Sequence, residues 1–411
     1  NPLCCPARAS VLTGQYSHNH GVLTNATAAG GGFPAFDDSS TLATWLTDAG
    51  YLTGFVGKYL NGYGHRGYGQ DPRYVPPGWT RWQGAVDPST YRYFNQRLNE
   101  NGAVRHYPGV YSTDLFTRKT QRFIEYGAWR SEPFFFWTAF VAPHFGGPIE
   151  PDDPLADDGL GPRTPGLTDE YRDRYADVAL PRDPSFNEED VSDKAAKVRA
   201  KGRLDDTAVA ALTERYQQRL ESLAAVDDSV KLIIDTLREH GELDNTYIIF
   251  TSDNGLLSGE HRLTGKRQPF EPSIRVPLLI RGPGIPPGST VGQFSGTIDL
   301  APTVVDIALA DAGLTMDGRS LLPTATGRRA PSRTMLIEAG KSNASGLLWS
   351  GVRTSRWTYV EYRSGHVELY DLRHDPFQLD SLAGERSYAA AEQRLAAELD
   401  ALRDCAGQSC R

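Results

Sequence analysis

Five short segments of the chain carry side chains suited to handling a charged substrate. Lys58 follows the apolar stretch that ends at Val56-Gly57. His144 follows Val141-Ala142-Pro143. Asp253-Asn254-Gly255 follows Tyr247 to Ser252, and Lys266 stands shortly beyond, in Gly265-Lys266-Arg267-Gln268-Pro269-Phe270-Glu271. The chain opens on the fifth, Cys4-Cys5-Pro6-Ala7-Arg8. Asp and Asn oxygens are ligands for Ca²⁺ or Mg²⁺. A lysine is a point charge for sulfate or phosphate. Together the set suits an anion held beside a hard cation. Taken singly each has a plainer reading: Asp-Asn-Gly is a turn, the lysines are solvated charges, the histidine is a loop residue. A shared place at the carboxyl ends of strands is what joins them, because ligands of open α/β sheets bind there.

The elements that must position these residues alternate between strand and helix. Ser39 and Ser40 begin a helix through Trp45 and Leu46, closed by Gly50, and Tyr51 to Val56 reads as a strand. Pro133 to Ala142 is an aromatic-rich strand. From Thr207 to His240, apolar residues recur at steps of three and four, from Val209 and Leu212 to Ile233 and Leu237. That spacing predicts a long amphipathic helix, with Asp205 and Asp206 at its start and Gly241 at its end. Tyr247 to Thr251 is the next strand. This order predicts an α/β fold with a mostly parallel sheet flanked by helices. From Thr334 short strands with polar turns take over, followed by a helix over Tyr388 to Arg403. A small antiparallel C-terminal subdomain is therefore expected over 331–411, after a catalytic domain over 1–330. Residues 145–203, rich in Pro, Gly, Asp and Arg, read as a loop insertion, placed to select substrate or simply to connect.

Composition narrows the class. The 411 residues include 43 Lys+Arg and 51 Asp+Glu, a formal charge of −8, with 39% hydrophobics. Disordered, collagen-like and disulfide-scaffold classes are excluded. The acidic balance argues against a nucleic-acid or polyanion binder by bulk charge, so an anionic substrate needs a local site. The longest apolar run, Phe134 to Ala142, is far too short to span a membrane. Cys405 and Cys410 are spaced for a short-loop disulfide, which would imply a secreted, periplasmic or lysosome-like oxidising compartment; the alternative is two free thiols on a tail. Cys4 and Cys5 are adjacent and need another explanation.

Cys4-Cys5-Pro6-Ala7-Arg8, followed by Leu12-Thr13-Gly14, resembles the signature of the type I sulfatases of the alkaline phosphatase superfamily, whose core is Cys-x-Pro-x-Arg and Leu-Thr-Gly. The resemblance implies that Cys4 is oxidised by the formylglycine-generating enzyme to Cα-formylglycine. The hydrated aldehyde of that residue is the family's nucleophile, and its second hydroxyl expels sulfate. Pro6 is expected at the first position of a helix whose positive end faces Cys4, with Arg8 reaching back toward the same group. Gly57-Lys58-Tyr59-Leu60-Asn61 looks like the family's sulfate-binding Gly-Lys segment. It is closest in form to the N-acetylglucosamine-6-sulfatase and heparan endosulfatase branch. Many sulfatases carry His where Leu60 stands, which puts the usual base in doubt and brings Asn61 forward. Ala142-Pro143-His144 matches the segment whose His bonds the sulfate and protonates the leaving oxygen.

Ser252-Asp253-Asn254-Gly255 is similar to the metal segment, implying Ca²⁺, with Mg²⁺ as the alternative, held by Asp253, Asn254 and the modified Cys4. Lys266 matches the second sulfate-binding Lys. His261, in Gly259-Glu260-His261-Arg262, is expected to bind substrate or to support those that do. His18 and His20 read as polar residues near the site mouth. Tyr63, Tyr68, Trp79 and Trp82 could form a sugar-stacking wall or pack in the core.

The resemblance implies hydrolysis of a sulfate monoester, on a carbohydrate such as an N-acetylglucosamine-6-sulfate or on an aryl sulfate. The expected partners are that substrate and the maturing enzyme, with no nucleic acid and no membrane span. Two rivals stand beside it: a phosphonate monoester hydrolase or phosphodiesterase of the same superfamily, and a truncated, inactive sulfated-glycan binder. The opening Asn1-Pro2-Leu3 precedes Cys4 directly, whereas the family carries a strand ending in paired, metal-binding aspartates upstream. The chain is therefore expected to be a fragment of a longer protein.

Overall fold

The computed structural model describes residues 1–148, 150, 164–328, 331–341 and 346–411. Part of the expected insertion (149 and 151–163) and residues 329–330 near the expected domain boundary lie outside the described residues. The chain forms two units. The first comprises Asn1–Trp45, Arg182–Arg203 and Tyr247–Arg411; the second comprises Leu46–Pro181 and Leu204–Thr246.

The first unit opens on helix α1 (Cys4–Thr13), in which every residue except Val11 is buried. A helix apolar or satisfied all round belongs inside a core. Leu3 is its N-cap, with extended backbone, and Gly14 ends it in the left-handed region at φ 69. The helix thus starts at Cys4, and Pro6 is its third residue instead of its first. Proline is tolerated there because the first-turn N–H groups have no partner within the helix. The Cys5 amide, one of those donors, bonds Asn25 Oδ1 at 2.8 Å.

The second unit is built on strands β1 (Leu52–Gly57), β2 (Arg81–Ala85), β3 (Asn95–Glu100), β4 (Ala103–Pro108) and β5 (Phe134–Ala139), in the order β4-β3-β2-β1-β5. β1 runs parallel to β2 and to β5, in register from Leu52↔Phe134 to Gly57↔Ala139. β2–β3 and β3–β4 are antiparallel. The sheet is therefore mixed. β3 and β4 are joined by the Asn101-Gly102 turn, where both residues have positive φ, 48° and 91°. That pair matches the twist of a tight hairpin.

Helices α2 (Ser112–Ala128) and α3 (Asp206–Glu239) accompany this sheet. α3 falls where the periodicity predicts it, and the Asp205 carboxylate caps it by accepting from Ala208 N at 2.8 Å. Val56, Leu115, Phe116, Val141 and Ala225 share one core. A second packs aromatic rings: Phe55 stacks on Trp82 at 4.8 Å, and Tyr59 and Tyr63 meet Trp82 edge-on. Trp82 Nε1 donates to Tyr63 Oη at 2.6 Å. Tyr63, Trp79 and Trp82 are buried core residues, so they form no sugar-stacking wall; only Tyr68 of the four is exposed.

The rest of the first unit contains β6 (Ile248–Thr251), a short hairpin of β7 (Leu257–Ser258) and β8 (Thr264–Gly265), and β9 (Leu278–Arg281). β6 pairs antiparallel with β9. After helix α4 (Leu300–Ala308) comes an antiparallel sheet of β10 (Met335–Gly340), β11 (Leu347–Arg353), β12 (Trp357–Tyr362) and β13 (Val367–Asp371), in that order. Helix α5 (Ala389–Arg403) buries Leu395, Leu399 and Leu402 in a core with Val352, Tyr359 and Leu369. Cys405 and Cys410 form the expected disulfide just beyond it. The architecture is α/β with a C-terminal antiparallel subdomain, as the sequence predicts.

Candidate active site

In the first unit, five of the predicted residues come together. Cys4 is 1% exposed at the first turn of α1. Lys266, directly after β8, places Nζ 3.1 Å from Cys4 Sγ and 3.4 Å from Asn254 Oδ1. Asn254 Nδ2 donates to Gly255 O at 2.8 Å, which leaves the amide oxygen turned toward the lysine. Arg8, one turn along α1 from Cys4, donates through Nε to Asp253 Oδ2 at 2.8 Å, with both side chains largely buried. Gly255 lets this turn press against its neighbours: a Cβ there would stand 2.1 Å from Pro272 O.

Lys266 is held by the residues that follow it. Arg267 N bonds Pro2 O at 3.2 Å, so the backbones carrying Lys266 and Cys4 are tied beside the contact itself. The Arg267 guanidinium donates to Gly340 O at 2.6 Å, and Trp349 Nε1 donates to Arg267 O at 3.0 Å.

His261 belongs to this loop but not to its polar surface. It is fully buried, its ring lies 3.9 Å from the Phe270 ring, and Nδ1 is 2.6 Å from Glu188 Oε2. His261 and Arg262 both have left-handed backbone, at φ 52 and 60. Consecutive non-glycine residues in that region are strained and need an external hold. The hold comes from one segment: Ser185 O accepts from His261 N, Glu188 O from Arg262 Nε, and Lys201 O from Arg262 Nη1. Glu188 also faces the fully buried Lys194 at 3.5 Å.

The second unit gathers Lys58, Asn61 and His144 around Tyr91. Lys58 Nζ lies 5.4 Å from the Tyr91 ring centroid. The His144 ring is 4.5 Å from it, and Asn61 Nδ2 donates to Tyr91 Oη at 3.0 Å. Lys58 is 3% exposed. Its backbone is set by Gly57, at φ 106, where a Cβ would stand 2.1 Å from Ala139 O. Lys58 N then bonds that same carbonyl at 2.9 Å. His144 Nδ1 meets Phe145 O at 2.8 Å. A carbonyl can only accept, so Nδ1 carries the hydrogen and Nε2 is the nitrogen that exchanges a proton. Tyr93 Oη donates to His144 O at 2.6 Å.

His18 and His20 are both engaged locally. His20 Nδ1 accepts from Val22 N at 3.1 Å, and its other nitrogen lies 3.2 Å from Ser10 Oγ. Burial pushes its pKa down to about 4, so it is neutral. His18 Nε2 donates to Cys405 O at 2.9 Å and its ring faces Glu338. Both rings serve packing around α1 and the C-terminal subdomain.

Three contacts were not read from sequence: Tyr91, Asn25 and Glu188. The signal for Tyr91 was present, because it follows the carboxyl end of β2, the parallel neighbour of β1. The strand-end rule that singles out Lys58 and His144 applies there too. Asn25 and Glu188 act through backbone proximity that no local pattern encodes.

The donor set for a hard cation is partial. Asp253 and Asn254 supply oxygens of the right chemistry, but Ca²⁺ takes six to eight. Among the described residues, no group of three or more His, Cys, Asp or Glu could hold a metal ion.

The chain is similar to known proteins over most of its length. Residues 1–310 match the family model described as Sulfatase, and residues 259–405 match that of the N-sulphoglucosamine sulphohydrolase C-terminal region. The arylsulfatase of Volvox carteri is 33% identical, over all of this chain and 69% of the relative. The N-acetylglucosamine-6-sulfatase of Homo sapiens is 32% identical, over all of this chain and 78% of the relative. The solved structure of BT4656 in complex with its substrate D-glucosamine-2-N,6-O-disulfate shares the fold, with a TM-score of 0.80 at 22% identity over 97% of this chain and 87% of that one. With the Cys4–Lys266 contact inside the matched region, the chain belongs to the sulfatase family, the hydrolases of sulfuric esters.

Proposed function

We propose that this protein hydrolyses a sulfate monoester on a glucosamine-type sugar, with Cys4, matured to formylglycine by a partner enzyme, at the point of attack. The observation that carries the reading is the cluster at the start of α1. Cys4 sits at the positive end of a buried ten-residue helix, where an anion is stabilised. Lys266 brings a second positive charge to the same atom. The similarity to N-acetylglucosamine-6-sulfatases supports the choice of sugar.

Formylglycine, when formed, supplies a geminal diol in place of a thiol. The chain's own residues do the rest. Lys266 in the first unit and Lys58 in the second are each suited to counter the charge of a sulfate group. His144, oriented through Nδ1, is suited to give a proton from Nε2 to a leaving oxygen. Arg8 fixes Asp253, and Asn254 orients Lys266. Asn61 contributes to substrate binding, and His261 acts at one remove by shaping the Lys266 loop. A Ca²⁺ ion, with Mg²⁺ as the alternative, would take Asp253 and Asn254 among its oxygen ligands. These two residues alone do not complete a site. The Cys405–Cys410 disulfide supports residence in an oxidising compartment. No helix among the described residues is long and apolar enough to cross a membrane.

The test is a rate comparison on protein matured at Cys4. N-acetylglucosamine-6-sulfate and 4-nitrophenyl sulfate should turn over faster than a phosphate diester or a phosphonate monoester. Faster cleavage of the phosphorus substrates would sink the reading. So would binding of the sulfated sugar without turnover.

A further inference from the structure

We propose that Tyr91 is a positioning residue of the second unit, whose ring face holds the Lys58 ammonium and the His144 imidazole in their working places. This rests on the reading of His144 as proton donor and Lys58 as sulfate contact. The Tyr91 side chain meets all three residues assigned to the site in this unit. Lys58 Nζ stands 5.4 Å from its centroid, His144 lies at 4.5 Å with the two planes 33° apart, and Asn61 binds its hydroxyl at 3.0 Å. Phe145 runs nearly parallel to the same ring, at 6.5 Å and 16°.

The physical case is the charge distribution of the ring. An aromatic face carries partial negative charge and attracts a cation set over it, the more so away from water. Lys58 is nearly buried, and cannot relax into solvent. Its extended side chain has many rotamers, and a ring contact selects among them. His144 has a second need. Its Nδ1 is committed to Phe145 O, and its ring packs on that of Phe145 at 4.3 Å as well as on Tyr91. The two rings together set the tilt, and the electron-rich Tyr91 face also favours the imidazolium that donates to a leaving oxygen. Asn61 in turn holds Tyr91 by its hydroxyl.

The ring and the hydroxyl are separable, which makes the proposal testable. The full chain, matured at Cys4, is prepared with phenylalanine and with pentafluorophenylalanine at position 91, and as Tyr91→Met. Phenyl sulfate, with a poor leaving group, and 4-nitrophenyl sulfate, with a good one, are assayed against His144→Ala as reference. Tyr91→Phe keeps the ring face and should stay within about 5-fold of wild type on both substrates. Pentafluorophenylalanine keeps the shape and removes the negative face. It should lower kcat for both substrates, through Lys58, and by roughly 10-fold more for phenyl sulfate, through His144. Tyr91→Met should follow it. Equal losses on both substrates for the fluorinated ring, with His144→Ala still discriminating, would overturn the hold of Tyr91 on His144, and unchanged rates on both would overturn its role altogether. Failure of His144→Ala to discriminate would overturn the reading of His144 and this proposal with it. The fluorinated variant preserves packing, so the test does not depend on Tyr91→Met folding.

Discussion

Lys266 Nζ stands 3.1 Å from Cys4 Sγ, across 262 residues of sequence. The contact joins the end of a two-residue strand to the first turn of a buried helix, and its lysine is steered by Asn254 on the other side. The charge at this point follows from backbone ties at Arg267 and Pro2 as much as from the lysine's own reach.

Lys266→Ala should lower kcat for a sulfate ester by about 10²- to 10³-fold, the loss seen when one preorganised charge-stabilising donor is removed. Lys266→Arg should recover little of it. A planar guanidinium does not replace the point charge of an ammonium at a half-buried position. Steady-state kinetics on 4-nitrophenyl sulfate checks both.

Cys4→Ala should abolish turnover, whereas Cys5→Ala should retain it. Cys5 is fully buried, and its backbone amide bonds Asn25. A modest fall in Tm, corresponding to roughly 1 kcal/mol, is expected for Cys5→Ala. Mass spectrometry of the peptide bearing Cys4 should find the aldehyde in protein made with the maturing enzyme. A thiol there in an active preparation would contradict the nucleophile assignment.

Glu188→Ala should destabilise the first unit by roughly 1–3 kcal/mol, because it takes the acceptor from the buried His261, while Lys194 keeps Asp193 and the Leu379 carbonyl. Urea unfolding measures this. Glu188→Gln keeps an acceptor for His261 and should cost less. A loss of the same size in both variants would show that charge, not the hydrogen bond, is what matters.

Glu221 should make stability fall as pH rises. Burial, with Asp173, Glu214 and Glu150 nearby, lifts its pKa from 4.5 to about 7, although Tyr175 N donates to it. The folded chain therefore keeps a proton that the unfolded chain releases near 4.5. Stability from this group is fully present below that pH and is lost progressively up to about 7. Glu221→Gln keeps the acceptor and removes the titration. Its Tm should gain on wild type steadily across that window and run level with a fixed advantage above it. A difference that does not change with pH would refute the assignment.

Much of the site was legible in the chain as written. Cys-x-Pro-x-Arg, Gly-Lys and Asp-Asn-Gly are local patterns whose backbone demands are local too, so Cys4, Lys58, Asp253 and Lys266 could be named without coordinates. The periodicity from Val209 to Leu237 located α3 almost to the residue, because a long helix repeats its signal many times. The β3–β4 hairpin was missed because it is polar and short, and the antiparallel pairing of β3 with β2 is what makes the sheet mixed.

What sequence alone determined here is the identity of the chemical groups, since each motif carries its own turn, cap or strand end. Tertiary structure decided which groups act on which. Asn25 takes a helix-start amide, Glu188 restrains a strained loop, Tyr91 gathers three side chains, and the tryptophans once eligible as a sugar wall became core. Each of these depends on where distant backbones meet, and that is set by burial and packing of the whole unit rather than by any run of neighbouring residues.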